Sequence, residues 1–415
     1  MPHLTDMADR VILHCDCNGF FASVETLLNP ALADVPMAVT GDPDSRHGII
    51  LAKNERAKAF GIQTAETIYS AKQKCPSLVC VLSHHGEYER ISRLVNQIYL
   101  DYTDLVDPFG IDESFLDVTG SMKLFGCTPR ELADRIRERV KREIGITISV
   151  GVSFCRVFAK LGSDYKKPDA TTVIDRENYK EVAFPLPVSA LLFAGKRTTE
   201  QLRSLGILTI GQLASTDRAL VVSRLGEIGD TLWRYANGLD NEPVRSFYER
   251  TPPKSVGNGM TFRRDISGEN EIRAGVMTLC DSVAARLRGE DRKATVVQVQ
   301  IKTPDFRVVQ KQCTLSRATW LRTDLIENAM ALIRAAVGYG TAIRMLTVTA
   351  GGLVPPGETE EQLDIFTQNP EEPSKKEAVE DALHEIRQKL GKNSITLGLY
   401  ENPEIGTGKP HKGHG

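Results

Sequence analysis

Two adjacent carboxylates, Asp112 and Glu113, stand at a bend between two apolar runs of the chain. Neighbouring ionised carboxylates repel each other and are costly to desolvate, so a fold that places them there usually supplies a cation. A third carboxylate, Asp16, lies near the end of an apolar run that begins at Val11 and is typical of a buried strand. Although an Asp-Glu pair alone is common on solvated turns, three carboxylates at two strand ends predict a site for hard divalent ions, above all Mg²⁺. Two such ions, about 4 Å apart, promote phosphoryl or nucleotidyl displacement.

The elements that position these carboxylates are short β-rich runs and one clear helix. Residues 129–144 have helical periodicity, with Thr128 as the predicted cap and Gly145 as the terminating residue. The predicted strands are residues 11–17, 105–109, 115–118, 146–152 and 171–174. This pattern favours an α/β (α+β) multidomain fold whose first sheet, with helices on one face, is similar to a ferredoxin-like palm.

Composition and charge set broader limits. The chain has 415 residues with 41% hydrophobic and 26% charged content, which predicts a soluble protein of two to four domains. Its eight cysteines form no CxxC pair, so we expect free buried thiols and a cytoplasmic location. No signal peptide is evident, and no stretch reaches the roughly 18 apolar residues of a membrane span. Residues 250–350 carry 16 basic and 9 acidic groups, whereas residues 355–385 carry 2 and 10, which indicates a nucleic-acid surface followed by an acidic tail.

Two motifs resemble a known family. Residues 16–25, DCNGFFASVE, together with residues 111–117, IDESFLD, resemble the Y family of translesion DNA polymerases, in particular the bacterial DNA polymerase IV type. The match runs in the family's motif order from about residue 11 to about residue 362. It implies a DNA-directed DNA polymerase that adds deoxynucleotides to a primer 3′ end by two-metal nucleotidyl transfer.

The resemblance also implies a division into domains, which the local patterns support. Short Gly-punctuated helices fill residues 178–246, and alternating strands with helices at about 270–288 and 324–336 fill residues 255–350. The predicted division is palm, residues 1–19 and 84–177; fingers, 20–83; helix-hairpin-helix thumb, 178–246; linker, 247–254; α/β little finger, 255–352; and acidic tail, 353–415.

The resemblance assigns the catalytic roles to the acidic residues. Asp16 and Asp112 bridge or flank two Mg²⁺ ions per active site, and the backbone carbonyl of Cys17 completes a coordination sphere. Glu113 ligates the ion that activates the primer 3′-hydroxyl. Asp117, four residues beyond Glu113, receives no ligand role.

Other residues are assigned to the incoming nucleotide. Phe21 matches the family's steric gate, whose ring excludes a ribose 2′-hydroxyl, and Phe20 is a neighbouring nucleotide-binding residue. Lys167 matches the lysine that holds the triphosphate, and Lys160 belongs to the same motif block. Lys166 competes with Lys167 for this role, because only one of two adjacent side chains faces a given side of a strand.

The fingers motif departs from the family pattern. Where many members have a Tyr and, three residues later, an Arg, this chain has Glu55 and Lys58; Lys58 keeps the charge for nucleotide binding without the bidentate fork. Asn18 and Gly110 replace a common Asp and Ser. We expect the Glu55 carboxylate to point away from the triphosphate or to pair with one of three cations: Lys53, Arg56 or Lys58.

Candidate DNA contacts lie in the thumb and in the basic region. Gly195 and Lys196 begin a helix whose backbone N–H groups are expected to meet a DNA phosphate, although Phe193 replaces the usual first hairpin glycine. Arg197 is an additional candidate there, and an ordinary helical hairpin is the alternative. Arg263 and Arg264 lead the candidate phosphate contacts of the basic region, which also include Lys302, Arg307, Lys311 and Arg317.

An apolar pentapeptide interrupts the acidic tail. Gln362, Leu363, Ile365 and Phe366 resemble the motif with which bacterial polymerases bind the sliding (beta) clamp, and docking within this chain is the alternative. A terminal helix is predicted after it, with Ser374 as cap and Gly391 as the terminating residue. Its apolar face comprises Val379, Leu383, Ile386 and Leu390.

No second acidic cluster with the spacing of a proofreading nuclease is apparent in the sequence. We therefore expect a polymerase of low fidelity. The resemblance further implies that it acts in translesion synthesis and mutagenic DNA repair. The expected partners are primer-template DNA, deoxynucleoside triphosphates and the sliding clamp, with no membrane, and we expect the protein to be a monomer. Two alternatives stay open at this point. One is another two-metal palm enzyme, such as a nucleotide cyclase, and the other is a DNA-binding protein that has lost catalysis.

Overall fold

The computed structural model describes residues 10–41, 48–249, 251–357, 371–391, 394–395 and 404–407. The chain divides into two compact units, residues 1–250 and residues 251–415. The α/β multidomain class predicted from the sequence is confirmed. The finer domain boundaries stay predictions.

The strands of the first unit form two sheets. A five-stranded sheet has the order β5-β6-β1-β7-β8, and a three-stranded sheet has the order β3-β2-β4. The pairs β7-β8 and β2-β4 are parallel, and the other neighbours are antiparallel. The bounds are β1 Ile12–Cys17, β2 Met37–Thr40, β3 Ile50–Lys53, β4 Val79–Leu82, β5 Val106–Pro108, β6 Glu113–Asp117, β7 Ile148–Ser153 and β8 Thr171–Ile174.

Twelve α-helices are described in the first unit. In chain order they are α1 Phe20–Leu28, α2 Glu55–Ala59, α3 Ile68–Lys74, α4 His85–Leu100, α5 Met122–Phe125, α6 Pro129–Ile144, α7 Arg156–Tyr165, α8 Tyr179–Ala183, α9 Lys196–Ser204, α10 Ile210–Ser215, α11 Arg218–Leu225 and α12 Glu227–Ala236. The predicted ends of α6 are correct: Thr128 and Glu131 form a capping box, and Gly145 ends the helix in the left-handed conformation with φ 85°.

The five-stranded sheet carries helices on both faces, so the prediction of helices on one face is wrong. Leu13, Cys15 and Cys17 of β1 point into the core that α4 and α6 cover. The opposite face receives α7, which approaches β7 so closely that a Cβ atom at Gly151 would lie 1.8 Å from the Ala159 carbonyl oxygen. α7 can come this close because glycine has no side chain. The periodicity of strands and helices in the sequence does not reveal that a glycine is required at this position.

The second unit is a four-stranded antiparallel sheet with two long helices packed on it. Its elements are β9 Ser255–Ile266, α13 Glu269–Gly289, β10 Lys293–Lys302, β11 Val308–Thr319, α14 Arg322–Ala336, β12 Ile343–Val354 and α15 Glu371–Leu390, with sheet order β11-β10-β12-β9. In β10, Val297, Val299 and Ile301 are buried and alternate with partly exposed residues. This confirms the predicted alternation between a face packed on helices and a polar face.

The terminal helix α15 begins at Glu371, so the prediction of Ser374 as its cap is wrong. A helix tolerates Pro373 in its first turn because the first N–H groups of a helix have no partner within it. The sequence analysis therefore placed the start of this helix too late. The helix contacts its own unit mainly through ion pairs. Arg288 of α13 bonds Glu380 and Asp381, each at 2.9 Å.

No helix among the described residues is both long and apolar enough to cross a membrane. All eight cysteines are free thiols, as the sequence predicted, and five of them are buried.

Candidate active site

The pairing of β1 with β6 brings two of the predicted catalytic carboxylates together. In the antiparallel register Asp16 stands directly opposite Glu113. The bend before β6 closes through the backbone N–H of Phe109, which donates to the Glu113 carbonyl at 2.9 Å, and the Cys17 N–H donates to the Asp112 carbonyl at the same distance. The backbone therefore holds all three acidic residues at one end of the sheet.

The carboxylates differ in their electrostatic surroundings. Burial raises the pKa of Asp112, and the nearby charges of Asp16 and Glu113 raise it further. Burial alone would also raise the pKa of Glu113, but His14 and Lys160 beside it lower that pKa to about 2. Glu113 is therefore an anion at neutral pH, and repulsion between carboxylates is concentrated on Asp112.

Two lysines meet the carboxylates from α7 and from the loop that follows it. The Nζ atom of Lys160 lies 2.5 Å from Glu113 Oε2. The Nζ atom of Lys167 lies 2.8 Å from Asp16 Oδ2 and 2.7 Å from Asp164 Oδ1. Burial lowers the pKa of Lys167, but the two aspartates outweigh it and raise that pKa overall. Of the two adjacent lysines, Lys167 is the one that faces the acidic site.

Asn18 holds the loop that carries Lys167. Its side chain donates to Ser149 Oγ at 2.9 Å and accepts from Thr147 Oγ1 at 3.1 Å and from the Asp169 backbone N–H at 2.9 Å. The residue that replaces the family's common aspartate thus cross-links the end of β1, the start of β7 and the lysine loop. A neutral amide suits this position because it both donates and accepts.

His14 is the residue of the site that the sequence analysis missed. Its side chain is fully buried, and Nδ1 lies 2.8 Å from Ser163 Oγ on α7. Nε2 lies 3.3 Å from Glu113 Oε2 without satisfying hydrogen-bond geometry. Burial lowers the pKa of His14. The sequence contained one clue to His14. Side chains alternate between the two faces of a strand, so His14 and Asp16, two residues apart, lie on the same face.

Oxygen and nitrogen donors at this site fit a divalent cation. One donor atom from each of His14, Asp16 and Glu113 can be chosen so that the three lie within 4.8 Å of one another, and Asp112 is outside this tight group. Cys17 contributes no thiolate, because burial raises the pKa of its thiol well above the usual value. Its backbone carbonyl stays a prediction as a ligand. Carboxylate oxygens are the ligands that hard cations prefer.

The predicted steric gate, Phe21, lies in the first turn of α1 against α4. Its ring stacks on Tyr88 with centroids 4.1 Å apart and planes at 14°, and it meets the edge of His85 at 5.7 Å. The ring is partly exposed. By contrast, the ring of Phe20 is buried in the core, which leaves its backbone for the predicted nucleotide contact.

In the fingers region, Glu55 pairs with Lys58, one of the three partners expected for it. The Lys58 Nζ atom lies 3.4 Å from a Glu55 carboxylate oxygen, and both side chains are well exposed. Arg56 instead pairs with Asp34, and Lys53 donates to Thr64. An exposed pair of this kind is weak, so Lys58 is available to exchange its partner for a phosphate.

The predicted DNA contacts lie in separate units. Gly195 caps α9, Lys196 begins it, and Phe193 keeps the left-handed backbone of a glycine, with φ 68°. In the second unit, both outer nitrogens of Arg264 donate to Glu271, at 2.5 and 3.1 Å, so its charge is partly neutralised. The backbone N–H of Arg263 donates to a carbonyl of residue 405. The predicted clamp motif, residues 362–366, lies outside the described residues.

Comparisons with known proteins point to one family. The model of the impB/mucB/samB family matches residues 15–164, and the model of that family's C-terminal domain matches residues 253–365. A DNA polymerase IV of Acetivibrio thermocellus is 42% identical over 390 residues, which are 94% of this chain and 97% of the relative. A DNA polymerase IV of Bacillus subtilis is 33% identical over 391 residues, 94% of this chain and 92% of the relative.

The fold also matches a solved polymerase. A chimeric Y-family DNA polymerase made from Dbh and Dpo4 superposes with a TM-score of 0.73 at 21% identity, over 83% of this chain and 99% of that one. The chain therefore belongs to the Y family of translesion DNA polymerases, within the group of the DNA polymerases IV. The predicted resemblance and the predicted enzyme class, a DNA-directed DNA polymerase, are confirmed. Membership implies binding of DNA and nucleotides and dependence on a divalent metal.

Proposed function

We propose that this polymerase adds deoxynucleotides to a primer 3′ end by nucleotidyl transfer with two Mg²⁺ ions, at low fidelity and without proofreading, opposite damaged template bases. The observation that carries the proposal is the register that sets Asp16 opposite Glu113, with the Asp112 carbonyl bonded to the Cys17 N–H. That arrangement aims carboxylates from two strands at one point, as two-metal catalysis requires. Family membership removes the nucleotide cyclase and the noncatalytic DNA-binding alternatives.

Asp16, Asp112 and Glu113, with the Cys17 carbonyl, would hold the ions. When bound, the ions lower the pKa of the primer 3′-hydroxyl and neutralise charge on the triphosphate. The protein's own contribution at Glu113 is to keep that carboxylate ionised and oriented. Lys160 and the buried His14 do this for Glu113, whose pKa they lower.

Lys167 and Phe21 act on the nucleotide. The Lys167 ammonium is half-buried beside Asp16, where a preorganised positive charge acts on a triphosphate more strongly than in water. Phe21 excludes the 2′-hydroxyl with a ring that is supported from behind by Tyr88. Steric exclusion suits this task because an apolar pocket alone poorly rejects one added hydroxyl.

DNA would be held by phosphate contacts that need no particular base. Gly195 and Lys196 at the start of α9 supply them in the thumb, and Arg263 and Arg264 supply them in the second unit. In the acidic tail, residues 362–366 would bind the sliding clamp. We further propose that the protein acts as a monomer in the cytoplasm.

Primer extension with Mg²⁺ tests the proposal. Wild type is compared with Asp112→Asn and Glu113→Gln, which keep side-chain volume, and with Asp117→Asn at the far end of β6 as the matched control. We expect the first two to lose at least about 1,000-fold in incorporation, since each removes a metal ligand, and the control to stay near wild type.

Two further measurements separate the roles. Fluorescence anisotropy should give primer-template affinities within a few fold for all variants, and calorimetry should show weaker Mg²⁺ binding by Asp112→Asn and Glu113→Gln. Full incorporation by either variant would contradict the assigned metal site. Loss of activity together with loss of folding would assign the residue a structural role instead.

A further inference from the structure

A buried carboxylate behind the steric gate has no part in the chemistry proposed so far. Glu25 lies on α1, four residues after Phe21, and is only 2% exposed. Residues four apart lie on the same face of a helix, so Glu25 and Phe21 both meet α4. Burying an ionised carboxylate is costly unless hydrogen-bond donors compensate it, which indicates that its partners matter.

Glu25 has two such partners. The hydroxyl of Tyr88 donates to Glu25 Oε1 at 2.5 Å, and His84 Nδ1 lies 2.9 Å from the same oxygen and 3.1 Å from Oε2. Tyr88 is fully buried, whereas the His84 side chain is 55% exposed. The carboxylate therefore ties α1 to the start of α4 from inside the protein.

Tyr88 connects this carboxylate to the gate. Its hydroxyl is held by Glu25, and its ring face lies against Phe21 at 4.1 Å. Two residues of α1, one helical turn apart, thus contact Tyr88 of α4: Glu25 binds its hydroxyl and Phe21 stacks on its ring. One face of the Phe21 ring therefore rests on a ring that cannot shift without breaking a hydrogen bond to a carboxylate.

From this geometry we infer that Glu25 is a positioning residue for sugar selection, because it locks the Tyr88 ring on which Phe21 rests. The inference depends on the proposed role of Phe21 as the gate. A gate that works by steric exclusion needs its ring held to a fraction of an ångström, since a small displacement opens room for one hydroxyl group. The carboxylate thereby acts on the nucleotide without touching it.

The test measures kcat/KM for a deoxynucleotide and for the matching ribonucleotide. Tyr88→Phe keeps the ring and removes its bond to Glu25; Glu25→Leu removes the carboxylate; Glu25→Gln retains an acceptor for the hydroxyl. Tyr99→Phe is the control, since it makes the same change on the same helix at a hydroxyl that faces Cys15 instead.

We expect Tyr88→Phe and Glu25→Leu to reduce the preference for deoxynucleotides by about tenfold, the effect of a lost hydrogen bond to a charged group. Glu25→Gln should retain most of the preference, and Tyr99→Phe should leave it unchanged. In a Phe21→Ala background, Tyr88→Phe should have no further effect, because the ring that it positions is gone.

Two outcomes would overturn the inference, and they are distinguishable. If Phe21→Ala loses sugar discrimination while Tyr88→Phe and Glu25→Leu lower only the melting temperature, Glu25 is structural and the gate proposal stands. If Phe21→Ala itself leaves discrimination unchanged, the gate proposal fails and the inference fails with it.

Discussion

The close approach of α7 to the sheet gives a sharp prediction for Gly151→Ala. The added Cβ atom would lie 1.8 Å from the Ala159 carbonyl oxygen and 2.5 Å from the Ser163 nitrogen, whereas ordinary contacts begin at 3.4 Å. Both atoms are backbone atoms of α7, so no side chain can turn away. Relief requires α7 to move from β7 by well over 1 Å.

That movement would disturb the active site, because α7 carries the groups that orient Glu113. Lys160 lies 2.5 Å from Glu113, and Ser163 lies 2.8 Å from His14. A displacement of about 1 Å in a catalytic group costs on the order of 100-fold in rate. Overpacking a core lowers the free energy of unfolding by about 1–3 kcal/mol. For a unit of this size, each kcal/mol lost lowers the melting temperature by about 2–4 °C.

The assay is single-nucleotide incorporation below the melting temperature, with circular dichroism to confirm folding. Gly120→Ala is the matched control, since a Cβ atom there meets nothing within 4 Å and its backbone conformation is ordinary. We expect Gly151→Ala to lose about 100-fold in kcat/KM while the control keeps wild-type activity. A Gly151→Ala protein with unchanged activity and melting temperature would refute the argument that α7 positions Glu113.

Three further predictions follow from individual contacts. Asn18→Ala should free the loop that carries Lys167 and raise KM for the nucleotide about tenfold with a smaller change in kcat, as measured by steady-state kinetics; an unchanged KM would separate Asn18 from the lysine. Phe193→Gly should stabilise the protein by about 1 kcal/mol, because glycine adopts φ 68° without strain, and a lower melting temperature would contradict this. Arg288→Ala should leave the largely buried Glu380 carboxylate without its guanidinium partner, although the Arg322 N–H still donates to it, and destabilise the second unit by about 3 kcal/mol; a urea midpoint equal to that of wild type would count against it.

Local patterns in the sequence were sufficient where short-range rules decide the structure. The cap at Thr128 and the glycine that ends α6 follow from hydrogen bonding within a few residues. Local patterns also placed Asp16 near the end of one apolar strand and Glu113 at a bend beside another, but the pairing that sets the two residues opposite each other joins distant parts of the sequence. The face to which α7 packs was not predictable in this way, because it depends on a long-range contact that Gly151 and Gly162 make possible.

Long-range contacts also explain why His14 and Glu25 escaped the sequence analysis. A histidine inside an apolar strand is typical of an ordinary core residue until Ser163 and Glu113 are found beside it. A glutamate in a short amphipathic helix is typical of a solvated surface until Tyr88 is found to cover it. In both cases the partner is more than 60 positions away in the sequence, so no local window contains the information.

The two faces of β1 separate stability from chemistry within one strand. Leu13, Cys15 and Cys17 point into the core under α4 and α6, where burial raises the pKa of both thiols and keeps them protonated. His14 and Asp16 point to the other face, where Lys160 and Lys167 approach from α7 and the loop after it. Because successive side chains on a strand alternate, a one-residue slip of β1 against β6 would exchange the two sets. The apolar core therefore fixes the register, and the register fixes the position of Asp16 opposite Glu113.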